Sequence, residues 1–263
     1  MKRIFFSLLA FAAVFSLGSC DAINNSGLLG YVDKWAYLVN ETPQESSLNG
    51  DTFTYGTHTY TVSGFIDWSS TDYTDPTASV TFSNIPSGFT EFKAVYDQLL
   101  GKSAHGAAAM LPMAMEIYAR KKSTGEKCLK YLCKDDNAAT AIMRELDRKF
   151  PDEKYTEDNS YSYVQRYLPA ALIQGAAYDN AYKPEEPYVI LMGSTLNNKP
   201  QEMSYPPYGT TYYMYIHGPG WDTQTRGVDL FQPKNKEYFK VGNCPGCYAQ
   251  CKPIFEGPWQ GLK

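Results

Sequence analysis

The segment from Ala107 to Tyr118 constrains the fold most, because it is apolar on nearly every side. Its pattern predicts a helix, and Ser103 stands where the N-cap of that helix is expected. Pro112 is expected either to start the second half of the helix or to kink it. A helix that is apolar all round is usually buried in a protein core. We therefore expect the other elements of the chain to surround this one.

Helical spacing extends over the whole central region, and strand-like alternation flanks it on both sides. Three more helices are predicted, one from Phe92 to Leu100 and two over residues 127–132 and 138–150. Alternating segments predict strands over residues 57–68, 78–84, 188–192, 210–217, 227–231 and 237–241. Strands, then helices, then strands indicate an α+β fold: a mainly antiparallel sheet with the helical segment, about 90–150, packed on one face.

The N-terminus has the three parts of an export signal in order. Lys2 and Arg3 precede an apolar run over residues 4–17, and Gly18-Ser19-Cys20 follows. The 14-residue run is shorter than the roughly 20 residues that a membrane-spanning helix needs. The ending Leu-Gly-Ser-Cys resembles the lipobox of bacterial lipoproteins, which implies that Cys20 receives lipid and becomes the new N-terminus. The alternative is an ordinary cleaved signal with an incidental cysteine.

This interpretation divides the chain into three parts. Residues 1–19 are the lipoprotein signal peptide, 20–50 the lipidated N-terminus and a polar, turn-rich tether, and 51–263 a single α+β domain. The predicted location is the bacterial cell envelope, with the acyl chains in the membrane and the protein at the periplasmic face or the outer surface of the outer membrane. Loss of Lys2 and Arg3 changes the formal charge from −4 to −6, which disfavours nucleic acid as a partner.

Five cysteines remain once Cys20 is assigned to lipid, and they are disulfide or metal candidates. They are Cys128, Cys133, Cys244, Cys247 and Cys251. An exported protein meets an oxidising environment, so structural disulfides or inert thiols are favoured, and an odd number leaves at least one thiol unpaired. A zinc site that draws on the C-terminal cluster and a redox pair in Cys244-Pro-Gly-Cys247 are the alternatives.

The ligand-binding residues that the sequence favours lie at the end of one predicted strand. His217-Gly-Pro-Gly-Trp221-Asp222 places an imidazole, an indole and a carboxylate around a glycine turn, and such loops often carry function. Tyr213 and Tyr215 precede it in the strand, in a chain that has 22 tyrosines. The alternative for the loop is a hairpin turn with a packing tryptophan, and for the tyrosines it is ordinary sheet packing.

No pattern of catalytic residues stands out. Gly101-Lys102-Ser103 lacks the earlier glycine of a phosphate-binding loop, and neither a Gly-x-Ser-x-Gly nor a His-Glu-x-x-His motif occurs. His58 and His105 are expected at the surface or at a helix cap. The sequence therefore assigns no catalytic residue, no bound metal and no cofactor, and it favours a protein that is not an enzyme.

One stretch resembles a known family. Residues 174–188 contain the run Gly-Ala-x-x-x-Asn-x-Tyr-x-Pro-x-x-Pro-Tyr, and the helix from Phe89 to Gly101 fits the same pattern. Both are similar to an uncharacterised domain family found in lipoproteins of gut Bacteroidetes and in some Firmicute proteins. The resemblance covers roughly residues 85–245 and implies a shared fold. It supplies no catalytic residue, and it places the cysteine-rich tail outside the family pattern.

Three functions follow as hypotheses. The first is a lipid-anchored envelope protein that binds a ligand without catalysis, through its C-terminal aromatic sheet; a glycan is the ligand that suits this setting, and a small molecule is the other. The second is a pore-forming-like protein whose tyrosines and tryptophans sit at a bilayer interface. The third is an envelope hydrolase, which would need His217 and Asp222 to converge with another polar group.

Overall fold

The fold consists of a curled antiparallel sheet, in the shape of a half-barrel, and four helices within the described residues. The computed structural model describes residues 49–149, 169–180, 182–220 and 225–248. The helices are α1 (Phe89–Gln98), α2 (Ala104–Arg120), α3 (Lys122–Leu132) and α4 (Asp136–Lys149). The strands are β1 (Thr52–Tyr55), β2 (His58–Gly64), β3 (Ala78–Phe82), β4 (Tyr188–Gly193), β5 (Gln201–Met203), β6 (Gly209–His217), β7 (Thr225–Pro233) and β8 (Lys240–Val241). The predicted α+β class is confirmed.

The strand order keeps sequence neighbours together on both sides of the helical block. The sheet runs β1-β2-β3-β4-β6-β7-β8, and β5 pairs with β6 off this path. The four α-helices of the described residues lie between β3 and β4 in the chain, yet these two strands are direct neighbours, with Val80 opposite Ile190. The helical block is therefore an insertion between two adjacent strands.

Two predicted strands are shorter in the structure, and two strands are new. The predicted first strand over residues 57–68 is shorter, and β1, which the sequence does not predict, precedes it in a hairpin closed at Gly56 and Thr57. Gly56 has φ of 60°, a left-handed turn conformation that glycine adopts without steric cost. β5 is also new, and β8 covers two residues instead of the predicted 237–241. Strand pairing across the chain, rather than local alternation, sets these limits.

Helix α2 lies inside the curl of the sheet. It contacts β3, β6, β7 and β8, and its residues from Ala104 to Tyr118 are all buried. The inner-facing strand residues are buried as well: Tyr60, Val62, Val80, Phe82, Ile190, Met192, Met214, Ile216, Val228 and Leu230. The predicted cap is present, since Ser103 Oγ accepts a hydrogen bond of 3.1 Å from the Gly106 amide. The helix continues through Pro112, which neither ends nor restarts it.

A buried carboxylate joins the start of α1 to β2. Glu91 is only 2% exposed, and its oxygens accept hydrogen bonds from His58 Nδ1 at 2.7 Å and Tyr60 Oη at 2.9 Å, and from the Ser87 amide and hydroxyl at 2.7 Å each. Burial alone would raise the pKa of Glu91, but these donors outweigh it and hold the pKa below its usual value. His58 therefore has a structural role, through its hydrogen bond to Glu91, and does not belong to an open surface. His105, expected at a cap or surface, is buried on α2.

Helices α2 and α3 cross at a distance that only glycine permits. A Cβ atom added to Gly125 on α3 would stand 2.2 Å from the Tyr118 Cα on α2. Real Cβ atoms are not found so close to a backbone atom, so the two helices would have to separate. None of the described helices is both long and apolar enough to span a membrane.

The close crossing predicts that Gly125→Ala destabilises the protein. Separating α2 from α3 disturbs a packed core, and we expect a loss of about 1–3 kcal/mol in the free energy of unfolding, measured by urea denaturation. Gly246→Ala is the matched control, because a Cβ there meets its nearest atom at an ordinary 3.5 Å. Equal stability of Gly125→Ala and the wild type would contradict the close crossing.

Candidate functional site

The tyrosines predicted to bind ligand lie on the outer face of the sheet. Tyr213, Tyr215 and His217 alternate along β6, so their side chains point to the same side, away from α2. Tyr213 is 38% exposed and Tyr215 is half-buried, whereas His217 is only 6% exposed. Trp221 and Asp222 lie outside the described residues. The structure therefore brings three of the five predicted residues onto one face.

A third tyrosine extends this face from a distant part of the sequence. The Tyr73 ring, which is 50% exposed, lies 5.9 Å from the Tyr215 ring between centroids. The Tyr215 ring in turn lies 5.4 Å from that of Tyr213, at an angle of 81°. We call Tyr73, Tyr213 and Tyr215 the outer tyrosine surface. The sequence correctly indicates a loop at Asp72–Pro76, but it contains no sign that this loop reaches β6.

Two glycines make room for this arrangement. Tyr215 pairs with Gly193 on β4 and with Gly227 on β7. A Cβ on Gly227 would lie 2.2 Å from Tyr213 Oη, and one on Gly193 would lie 2.9 Å from the Asp75 carbonyl oxygen. The bare backbone thus lets Tyr213 lie over β7 and lets the Tyr73 loop lie over β4.

The loop that carries Tyr73 is fixed by its own side chains. Asp67 Oδ1 accepts a hydrogen bond of 2.8 Å from the Ser69 amide, and Asp72 Oδ1 accepts one of 2.8 Å from the Thr74 amide. Hydrogen bonds from Ser69 and Thr74 lower the pKa values of Asp67 and Asp72, respectively. These turns are the local structures that aspartate favours in loops, so Tyr73 is held in place before any ligand arrives.

His217 fastens this loop to the end of β6. Its ring hydrogen-bonds to the Tyr73 backbone carbonyl, and burial lowers its pKa although Asp75 and Asp72 oppose that effect. Within the described parts of the chain its Nε2 atom is buried and has no hydrogen-bond partner. His217 is thus a neutral, buried contact between the end of β6 and the Tyr73 loop, and not an exposed acid or base.

Carboxylates border the outer tyrosine surface. Asp229 on β7 pairs with Tyr213, and burial raises its pKa, with Lys134 acting in the opposite direction. Burial also raises the pKa of Tyr213, and the neighbouring Tyr215 and Asp229 add to the effect. Asp72 and Asp75, in the loop that carries Tyr73, act on His217 at the end of the same face, so three carboxylates lie near it. The surface offers aromatic faces and hydrogen-bond acceptors to one ligand.

Of the two outcomes that the sequence favours for the cysteines, the described residues show inert thiols and not structural disulfides. Cys128, Cys133, Cys244 and Cys247 are all free, buried thiols, and no two of them lie at disulfide distance; Cys251 lies outside the described residues. Burial raises the pKa values of Cys128, Cys133 and Cys247 to about 12, and that of Cys244 well above its ordinary value. Such thiols are poor nucleophiles, which argues against the redox alternative.

The metal alternative finds no support in the same part of the chain. No group of three or more metal-ligating side chains comes together among the described residues. The cysteines instead fill space: Cys133 forms a backbone bridge with Val241, and Cys247 Sγ lies 3.8 Å from the Gly227 carbonyl oxygen. Small apolar packing is a common use of buried cysteine.

The motif that carried the family resemblance shapes a loop beside β6. Asn180 Oδ1 accepts from the Ala177 amide at 2.9 Å, and its Nδ2 donates to the Gly175 carbonyl at 2.6 Å. Tyr182 is buried, and its ring lies where a Cβ on Gly220 would be 2.8 Å away. The motif thus packs against the turn that follows His217, and its role is structural.

Comparison with protein families agrees with this resemblance. A family model described as "Domain of unknown function (DUF6935)" matches residues 84–254. The chain belongs to this family. No curated protein and no solved structure matches the chain significantly.

The residue range of the family match corrects the expectation about the cysteine-rich tail, and it also shows where the match begins relative to the sheet. All three cysteines of the tail, Cys244, Cys247 and Cys251, fall inside the matched range, so the tail is not an addition to the family pattern. The match begins after β3, although β3 pairs along its whole length with β4. In this chain, β1, β2 and β3 continue a sheet whose other strands lie in the family match.

The burial of His217 predicts a loss of stability in mild acid. In the unfolded chain a histidine has a pKa of about 6.5, and burial lowers it in the fold. Below that pH the unfolded state binds a proton that the folded state does not, so the free energy of unfolding falls as pH falls towards the folded-state pKa.

Urea denaturation at pH 7.5 and pH 5.5 measures this effect. The wild type should lose more stability between the two values than His217→Asn, whose amide can still donate to the Tyr73 carbonyl. The acids whose pKa values are lowered, such as Glu91, act mainly below this window. An equal loss in both proteins would show that His217 does not link protonation to folding.

Proposed function

We propose that this protein is a lipid-anchored protein of the bacterial envelope that binds a glycan on its outer tyrosine surface, without catalysis. The observation that carries the proposal is the row of rings from Tyr73 through Tyr215 to Tyr213, in contact with one another and open to solvent. Exposed aromatic side chains in a contiguous group mark interaction surfaces more often than scattered ones do.

The chemistry of this surface suits a sugar. The C–H faces of a sugar ring pack against the electron-rich faces of aromatic rings, and tyrosine adds a hydroxyl at the edge of each ring. Sugar hydroxyls need hydrogen-bond acceptors, which Asp72, Asp75 and Asp229 supply around the rings. A surface bordered by three acids and lined by neutral rings favours a neutral glycan over an acidic one.

Binding without catalysis agrees best with the position of His217. The hydrolase hypothesis needs an exposed imidazole, whereas His217 is buried and one of its ring nitrogens is engaged by Tyr73. Nothing within the described residues favours the pore-forming hypothesis. The anchor rests on the export signal and on the likeness of residues 17–20 to a lipobox.

The proposal predicts that tyrosine substitutions weaken glycan binding. A panel of neutral oligosaccharides identifies a ligand, and calorimetry then compares Tyr73→Ala and Tyr213→Ala with the wild type. Loss of one stacking contact, about 1 kcal/mol, should weaken binding about fivefold. Tyr55→Ala is the matched control, because Tyr55 is as exposed as Tyr213 but lies on β1 at the far edge of the sheet. The proposal fails if no glycan binds, or if both variants bind as the wild type does.

The anchor predicts a change of location when Cys20 is replaced. The wild type should appear in the membrane fraction with an N-terminal mass that includes acyl chains, because multiple acylation gives stable membrane binding. Cys20→Ala should lose the acyl mass, and Cys251→Ala should keep it. An unmodified Cys20 in the mature wild type would leave the ordinary export signal as the correct interpretation.

A further inference from the structure

A second candidate site lies among the helices, apart from the outer tyrosine surface. A cleft of about 510 Å³ opens between α1, α3, the turn over residues 100–102 and the chain around β8. We call it the Lys240 cleft; its lining residues are Tyr96, Asp97, Gly101, Lys102, Tyr131, Glu237, Tyr238 and Lys240. None of them belongs to the outer tyrosine surface. The two sites can therefore be tested separately.

Three tyrosine rings surround the ammonium group of Lys240. Its Nζ atom lies 4.6 Å from the ring centroid of Tyr96, 4.5 Å from that of Tyr131 and 5.3 Å from that of Tyr238. These distances allow cation–π attraction, which keeps the amine charged, while burial lowers its pKa and Asp97 opposes that shift. The cleft thus holds a partly desolvated cation in an aromatic setting.

Lys240 retains donors that the described protein does not use. One N–H group donates to the Tyr131 carbonyl at 2.5 Å, and no carboxylate in the described part of the chain forms an ion pair with Nζ. The nearest candidate, Asp97, is already engaged, because it accepts from Tyr131 Oη at 2.5 Å and pairs with Lys93. A desolvated cation with unused donors is costly, and an anion that enters the cleft would remove that cost.

The walls of the cleft are fixed in advance. Tyr96 Oη donates to the Phe239 carbonyl at 2.5 Å, and the Phe239 amide donates to the Gly101 carbonyl at 2.8 Å. The Lys134 amide donates to the Val241 carbonyl at 2.8 Å, so both neighbours of Lys240 are tied to the helical layer. Pre-organised donors and rings reduce the entropic cost of binding a ligand.

The charges of the lining select among anions. Lys102 adds a second cation and Glu237 adds one negative charge to the cleft, while the charge of Asp97 is balanced by Lys93. This balance suits a group with one negative charge and disfavours a phosphate, which carries nearly two near neutral pH. We propose that the Lys240 cleft binds a small monoanionic ligand, whose carboxylate pairs with Lys240 and whose ring packs against Tyr96, Tyr131 and Tyr238.

The test compares acids with uncharged molecules of the same shape on the full-length protein. The probes are benzoate against benzamide, and glucuronate against glucose, each titrated by calorimetry and by saturation-transfer NMR at pH 7. We expect at least one acid to bind saturably and at least tenfold more tightly than its neutral partner. Binding of benzoate would indicate a ligand with an aromatic ring, and binding of glucuronate would indicate a sugar acid. This comparison needs no variant, so it stands even where a substitution harms folding.

Variants then locate the binding. Lys240→Met keeps most of the side-chain length without the charge and should lower the affinity for the acid at least tenfold. Lys236→Met, at an exposed position outside the cleft, should bind the acid with the affinity of the wild type. Tyr213→Ala should leave acid binding unchanged, which separates this site from the proposed glycan surface. The proposal is overturned if neither acid binds, or if an acid and its neutral partner bind equally well. It is also overturned if Lys240→Met binds the acid with full affinity, or if inorganic phosphate competes for the site as well as the acid does.

Discussion

The burial of α2 inside the curled sheet is the interaction on which the rest of the structure depends. Its large side chains, Met110, Leu111, Met113 and Met115 among them, are fully buried, and each contributes about 1.5–3 kcal/mol by leaving water. The helix occupies the space that a ligand would use in an open half-barrel. We therefore place the proposed binding surfaces elsewhere, on the outer face of the sheet and among the helices. The outer tyrosine surface and the Lys240 cleft occupy these two places.

The elements predicted best are those whose sequence pattern depends on local burial. The apolar pattern of α2 predicts a helix that is buried on all sides. The alternation in β3, β4 and β6 predicts strands with one buried face. β1 and β8 are different, because pairing with β2 and β7 defines them more than their own composition does. The fold class is therefore predictable from the sequence, and the edges of the sheet are not.

The candidate sites show the same division. Tyr213 and Tyr215 can be found from their spacing along one strand, but Tyr73 joins them from a loop more than a hundred residues away in the chain. Lys240 meets Tyr96 and Tyr131 only because the fold brings its side chain, from β8, to rings on α1 and α3. A local sequence pattern does not predict such contacts between residues that are distant in the chain. Two residues beside the outer tyrosine surface do carry a local clue, since Gly193 ends β4 and Gly227 lies near the start of β7, each where another group lies close.

Several residues that suggested chemistry serve structure instead. The four described cysteines are buried and unpaired, and His217 holds a loop. Asn180 in the family motif organises its own turn through two short hydrogen bonds. Reactive residue types indicate function only when they are also accessible, and accessibility depends on the whole fold. Which side chains face solvent therefore decides where this protein can contact a ligand.

Nitration of tyrosines in the native protein, read by peptide mass spectrometry, tests that orientation most directly. Tyr212 and Tyr213 are neighbours in β6 but face opposite sides; the first is buried and bonded to Gln232, and the second is open to solvent. We expect Tyr73 and Tyr213 to be nitrated readily, while Tyr212 and Tyr188 react only after unfolding. Equal modification of Tyr212 and Tyr213 in the folded protein would contradict this orientation, because α2 could then not fill the inner face of the sheet.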